Sequence, residues 1–448
     1  IGFLQARIDA SSIELAAAPT VQPIIMYYGE LILQVDSFSQ HQSMSEYQII
    51  TVFTAFAFAY SLIATRLEKT PVNGAVVYVL IGMLCGPHLL GLVDLPIDEE
   101  GISLLAEIAL AICLFTDSSN ANLTVLKRVE AIPVRLLTIG LPLTIALGLA
   151  IAWLIFGELS FCEIALIATM LAPTDAALGK AVVTNPVVPA KVRESLNVES
   201  GLNDGICVPV ILFFIALAAS TGEASASTPG IVSLTLRVIG IGVVTGLALA
   251  LLGGFALRTS AARGWVAGTW LQFPIIALAL LCFGLAQWLG GSGFIASFVG
   301  GLTFGALTKQ HKQEFLEAAE GTADAVAMVT WFTFGTIILK ILLPGLSWQV
   351  LVYALLSLTV ARMLPVFLCL LGKGLKPDTL LFMGWFGPRG LASIVFVVMV
   401  IAEKMPGNDT IVAVVSWTIV LSVVLHGLSA NPLASIYGAR ADARGGEV

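Results

Sequence analysis

The sequence predicts an all-α integral membrane protein of about thirteen transmembrane helices. Two observations carry that prediction: an apolar excess that a water-soluble chain could not solvate, and apolar runs of about twenty residues recurring along the chain. Of 448 residues, 58% are hydrophobic and 11% charged, against roughly a quarter charged in soluble domains. The net charge of −7 is small for this length and the basic residues are scattered, which sets nucleic acid aside as a partner. The six cysteines, Cys85, Cys113, Cys162, Cys207, Cys282 and Cys369, stand singly in or beside apolar runs. They read as buried free thiols, neither disulfides nor a metal site.

Residues 1–45 read as an external extramembrane or amphipathic segment. Their apolar stretch near 13–35 is broken by Pro19, Pro23 and Glu30 and lacks the basic start and cleavage site of a signal peptide. A chain opening on Ile is compatible with processing or truncation. The spans then fall at 46–66, 72–92, 101–119, 131–156, 160–184, 196–220, 229–257, 268–289, 292–308, 323–343, 347–372, 378–402 and 409–429, before a short cytoplasmic tail at 431–448.

Loop charge tests this division, because Lys and Arg concentrate on the cytoplasmic side. After the odd-numbered spans come Arg66 and Lys69, then Lys127, Arg128 and Arg135, then Lys180, Lys191 and Arg193, then Arg258 and Arg263, Lys309 and Lys312, and Lys373 and Lys376, with Arg440 and Arg444 after the last span. Loops after even-numbered spans are acidic or nearly uncharged: Asp94, Asp98, Glu99 and Glu100 in one, Glu158 in another, with Lys404 their clearest basic residue. The pattern puts the N-terminus outside and the C-terminus in the cytoplasm.

Two spans are interrupted, the fifth by Ala172-Pro173-Thr174-Asp175 and the twelfth by Gly384, Gly387, Pro388, Arg389 and Gly390. Proline inside a helix removes a donor and clashes with the preceding turn, so both spans are expected to unwind at mid-membrane. Divided as six, one and six, the spans make two inverted halves with the interrupted helix fifth in each. That arrangement points to a transporter binding site at the midplane; the bland alternative is two kinked packing helices.

Charges inside the bilayer cost about 2.5 kcal/mol or more, so they are functional candidates. They are Glu107, Asp117, Asp175, Glu199, Asp204, Arg237, Arg362 and Arg389. In span six, Ser200, Asn203 and Asp204 stand at i, i+3 and i+4 and share a helix face. A carboxylate, an amide and a hydroxyl in one wall are hard oxygen ligands suited to a small cation. Thr174 and Asp175 could complete the shell, although an Asp after a break also caps a half-helix. Asp204 could instead be paired permanently with an arginine, and Glu199, about 100° from Ser200, faces another partner. Glu107 reads as a membrane-edge residue or a partner of Arg237, Asp117 as a capping or solvated residue or a point of ion entry, and His88 and His426 as structural.

At these residues the sequence resembles the monovalent cation/proton antiporter superfamily, in particular its NhaP-type sodium/proton exchanger branch. The likeness rests on Leu114-Phe115-Thr116-Asp117, Ala172-Pro173-Thr174-Asp175, Glu199-Ser200-Gly201-Leu202-Asn203-Asp204 and Gly387-Pro388-Arg389-Gly390, and covers about residues 46–430. The resemblance implies a homodimer in the cell membrane, with a dimerisation part (spans 1–3 and 7–10) and a core part (spans 4–6 and 11–13) holding two crossed broken helices. It implies that Asp204 carries the transported ion, sodium or lithium, beside Thr174, Asp175 and Ser200, with Asn203 orienting the site. It makes Glu199 a structural acid whose partner is Arg362 or Arg389. Asn203, where the electrogenic branch has a second Asp, implies exchange of one cation for one proton. Span five departs from the pattern, reading Thr-Asp-Ala where Thr-Asp-Pro is commoner.

The expected mechanism is competition, with Asp204 taking a proton or a cation and crossing the barrier only when neutralised. No cofactor is expected, since no GxxxxGK[ST] loop occurs and the ion gradient supplies the energy. Potassium/proton antiport is the nearest alternative. A cation channel is remote, as is an intramembrane hydrolase, for which HExxH and a Ser/His arrangement are both lacking.

Overall fold

The computed structural model describes residues 47–68, 70, 72–95, 100–121, 132–175, 178–220, 228–266, 270, 273–308, 312–403 and 405–443. The segment 1–45 lies outside them, as do Lys69, Asp98, Glu99, Lys127, Arg128, Lys309, Lys404 and Arg444 from the loop-charge pattern. Contacts divide the chain into residues 1–55 and 56–448. The described part of the first is the opening of one helix; the second holds the rest.

Among the described residues every regular element is helical. In chain order they are α1 (Tyr47–Ser61), α2 (Ala64–Glu68), α3 (Gly74–Cys85), α4 (Glu100–Asn120), α5 (Ile132–Ile155), α6 (Phe161–Met170), α7 (Lys180–Val183), α8 (Ala190–Ser220), α9 (Thr228–Ala262), α10 (Phe273–Trp288), α11 (Gly293–Leu307), α12 (Lys312–Leu342), α13 (Trp348–Leu358), α14 (Val360–Cys369), α15 (Pro377–Trp385), α16 (Leu391–Ala402) and α17 (Asn408–Asp442). Six, α5, α8, α9, α12, the α13–α14 stretch and α17, are long and apolar enough to cross a bilayer whole.

Several bounds differ from the sequence expectation for physical reasons. The span predicted at 72–92 ends at Cys85, where Gly86 turns extended ahead of Pro87. The one predicted from 196 starts at Ala190, because Val192 and Leu196 bury against Val182 and Val188. The polar stretch before 323 is helical from Lys312, in a sequence rich in Glu, Gln, Lys and Ala. The span predicted whole at 347–372 splits at Thr359, six residues before Pro365, whose missing N–H and bulky ring disturb the preceding turn. The last helix runs to Asp442 rather than stopping at 429, since Ala430, Ala434 and Tyr437 are buried and the Tyr437 ring stacks on Phe382 at 4.2 Å. Within α5, Leu136–Gly140 is a π-turn, placed just before Pro142, which has no amide to keep the α register.

Helices touch closely where side chains are small. A Cβ on Gly82 of α3 would run into the Phe332 carbonyl of α12, and one on Gly335 into the Val79 carbonyl. This is the packing expected where lipid leaves close van der Waals contact as the main adhesive. Lys340 of α12 also pairs with Asp94 and donates to the Leu95 carbonyl at 3.1 Å.

The two interrupted spans meet at their breaks. Between α6 and α7, and between α15 and α16, the backbone leaves the helix, and the Asp175 amide donates to the Pro388 carbonyl at 2.8 Å.

Candidate functional site

A broken helix exposes carbonyls at one cut end and amides at the other, and in a bilayer each needs a partner. Here each break serves the other. Arg389, fully buried, donates from Nη1 to the carbonyls of Ala172 (2.7 Å) and Pro173 (2.9 Å) at the C-terminal cut of α6. Asp175 accepts the Leu391 amide, at the N-terminal cut of α16, on Oδ2 at 2.7 Å, and the Leu178 amide on Oδ1 at 2.9 Å. Ser393 adds a bond to the Met170 carbonyl at 2.7 Å. A cation thus sits at a helix C-terminus and an anion at an N-terminus, the favoured sense for both dipoles. Glycine is required at this crossing: a Cβ on Gly390 would overlap the Asp175 carboxylate, and one on Gly387 the Arg362 guanidinium.

α8 supplies the facing wall. The Asn203 amide donates to Thr174 Oγ1 at 2.7 Å, and Thr174 Oγ1 lies 2.9 Å from Ser200 Oγ, so the break between α6 and α7 is tied to α8. Two acceptors remain buried without a partner, Asn203 Oδ1 and Asp204 Oδ1. An unpaired buried acceptor is costly, and a carboxylate more so. It is a ready place for a proton or a small cation.

A cavity of about 190 Å³ brings Asp117, Asp175 and Asp204 to one space, with Cys113 and Thr116 among its walls. Asn120, Lys180, Glu320 and Asp324 also line it. Lys180 bonds Asp324 at 3.2 Å with both side chains more than half exposed, which marks the cavity's wet end. Asn120 donates to Glu320 at 2.7 Å. Five carboxylates around one opening favour cations. Ser200 and Asn203 are each bonded to Thr174, and the three do not line this space. Sequence reasoning missed Glu320 because the apolar run was begun at 323, and left out Asp324 although it falls at the start of that run; their i, i+4 spacing on one helix face was the available signal.

Glu199 is taken by Arg362. Both side chains are 3% exposed, and the guanidinium donates bidentately, Nη2 to Oε2 at 2.8 Å and Nη1 to Oε1 at 2.5 Å. Arg389, the other arginine considered for Glu199, is occupied by Ala172 and Pro173. Among the described residues no ion pair joins Glu107 to Arg237, and the Arg237 side chain is exposed. His88 is exposed, whereas His426 is buried behind the second break. No group of three or more His, Cys, Asp or Glu suited to a resident metal occurs among the described residues.

The family described as "Sodium/hydrogen exchanger, transmembrane" matches residues 52–436. Over 369 residues the chain is 24% identical to the K(+)/H(+) antiporter NhaP2 of Shewanella oneidensis, covering 80% of this chain and 62% of that protein. This chain therefore spans less than two thirds of that relative's length. It is 27% identical over 405 residues to a Na(+)/H(+) antiporter of Schizosaccharomyces pombe, covering 82% of this chain and 85% of the relative. Among solved structures, the sodium proton antiporter MjNhaP1 from Methanocaldococcus jannaschii at pH 8 superposes with a TM-score of 0.67 at 23% identity, over 84% of this chain and 98% of the other. That likeness shows the fold.

Proposed function

The chain belongs to the sodium/hydrogen exchanger family, and from that premise we propose that it is a secondary antiporter exchanging a monovalent cation, sodium or lithium, for protons. The observation that carries the reading is Asp204: a buried carboxylate oxygen without a partner, on a cavity whose acidic walls draw in cations. In this reading Asp204 holds either a proton or the cation. Thr174, Asp175 and Ser200 offer further oxygens, and Asn203 orients Thr174 through its amide. An empty Asp204 carboxylate is too costly to carry through the barrier, so only the protonated or cation-bound site moves.

The arrangement proposed around the site is thirteen spans in a 6+1+6 inverted repeat, with the N-terminus outside and the C-terminus in the cytoplasm. Spans 4–6 and 11–13 form the moving core, and spans 1–3 and 7–10 the dimerisation part of a homodimer in the cell membrane. In this arrangement Lys180 and Asp324 join core to dimerisation part at the cytoplasmic mouth, and the cavity beside them is read as opening inward. Potassium is kept as the second cation, because the ligand oxygens do not set the ion's radius and the Shewanella oneidensis relative is named for potassium.

Purified protein in proteoliposomes carrying a proton gradient and a pH-sensitive dye tests this. Addition of sodium, lithium or potassium should collapse the gradient for at least one ion, and Asp204→Asn should remain folded yet inactive. Competition further requires the apparent KM for the cation to rise as pH falls, by up to about tenfold per unit where protons dominate the site. Wild-type-like exchange by Asp204→Asn, or a pH-independent KM, would remove Asp204 from this role.

A further inference from the structure

His426 is 1% exposed in the middle of α17, and the exchange reading gives it no task. Its surroundings do. Nε2 lies 2.9 Å from the carbonyl of Trp385, the last residue of α15. Nδ1 lies 3.1 Å from the Ser422 carbonyl, one turn back on the same helix, so the ring stands between two carbonyls and donates to one of them in its neutral form. Ser422 Oγ stands 3.2 Å from Nδ1 and itself accepts the Arg389 backbone amide at 2.7 Å. His426 and Ser422 thus bridge the gap from residue 385, on one side of the break, to residue 389 on the other. The Trp385 ring packs against the imidazole with centroids 4.9 Å apart.

The chain of bonds continues into the ion site. Arg389, fixed at its amide by Ser422, donates to the Ala172 and Pro173 carbonyls, and Thr174 follows directly with its bonds to Ser200 and Asn203. We propose that His426, acting with Ser422, is a positioning residue for cation binding: it sets the spacing of the break between α15 and α16 and, through Arg389, the place of Thr174 and Asp175. The proposal rests on the antiport reading above.

Two substitutions separate positioning from simple packing. His426→Leu fills much of the volume and loses both bonds; His426→Gln keeps a donor for Trp385 and an acceptor for Ser422. In proteoliposomes His426→Leu should raise the apparent KM for the cation roughly tenfold, the loss expected for one net hydrogen bond, and His426→Gln should stay within about threefold of wild type. Ser422→Ala should shift KM the same way, and the double variant His426→Leu/Ser422→Ala should add little, since the two residues form one unit. Ser422→Ala carries the test if His426→Leu does not fold. An unchanged KM in folded variants, even with lower thermal stability and kcat, would overturn the proposal by making His426 a packing residue. Absence of exchange in the wild type would instead overturn the antiport reading, and this inference with it.

Discussion

Glu199 and Asp204 stand on one helix, about 140° apart around its axis, and meet opposite surroundings. Glu199 has both oxygens bonded to Arg362, whereas Asp204 keeps one buried oxygen without a partner. A bidentate buried pair is satisfied on both sides; removing one partner leaves the other charge stranded, at a cost of about 3–5 kcal/mol. Glu199→Gln is therefore expected to lose thermal stability far more than cation affinity, as read by differential scanning fluorimetry beside the transport KM. A fully stable but inactive Glu199→Gln protein would place Glu199 in the transport path. At this scale the sequence singled out candidate charges, because so few interrupt the apolar runs. It left open which arginine meets Glu199, since that depends on how far each reaches across the breaks, and Arg389 is held by two carbonyls whose exposure only the unwound backbone creates.

Among the elements, the crossed breaks are the part most exposed to small changes. Pro173 and Pro388 made both visible in the sequence, while the split at Thr359 and the π-turn at Leu136–Gly140 were not, because Pro365 and Pro142 stand singly, without the adjoining glycines and polar residues that mark the other two breaks. The crossing also depends on an absence of side chain that no pattern reveals: Gly390 faces the Asp175 carboxylate with no room for a methyl. Gly390→Ala must push Asp175 off the Leu391 amide or shift α16, and overpacking of this kind costs about 1–3 kcal/mol. The expected result is at least a tenfold loss of exchange with reduced thermal stability. Gly384→Ala is the control, since its Cβ would meet Met363 at an ordinary 3.4 Å. Equal behaviour of the two variants in the dye assay would show that the crossing tolerates adjustment and is not what shapes the site.

For the molecule as a whole, the loop charges and the paired breaks suggested two inverted halves, yet which helices travel together depends on contacts that sequence does not display. Charge accounting in the moving part can still be argued. Glu199 is neutralised by Arg362. Asp175 accepts two backbone amides, bonds that tie it to both breaks. Asn203 cannot ionise. In the proposed antiport reading Asp204 is the carboxylate that alternates between proton and cation, and a one-for-one trade would move no net charge across the membrane. A cycle that carried a full elementary charge would be driven by about 2.3 kcal/mol per 100 mV. Exchange in sealed proteoliposomes should therefore be indifferent to a potential imposed with potassium and valinomycin, with sodium as the test cation. Proton-coupled sodium movement driven by voltage alone, with no ion gradient, would show that a second cavity carboxylate also carries a proton. Asp175 is the first to substitute in that case, and Asp117, on the same cavity, the next.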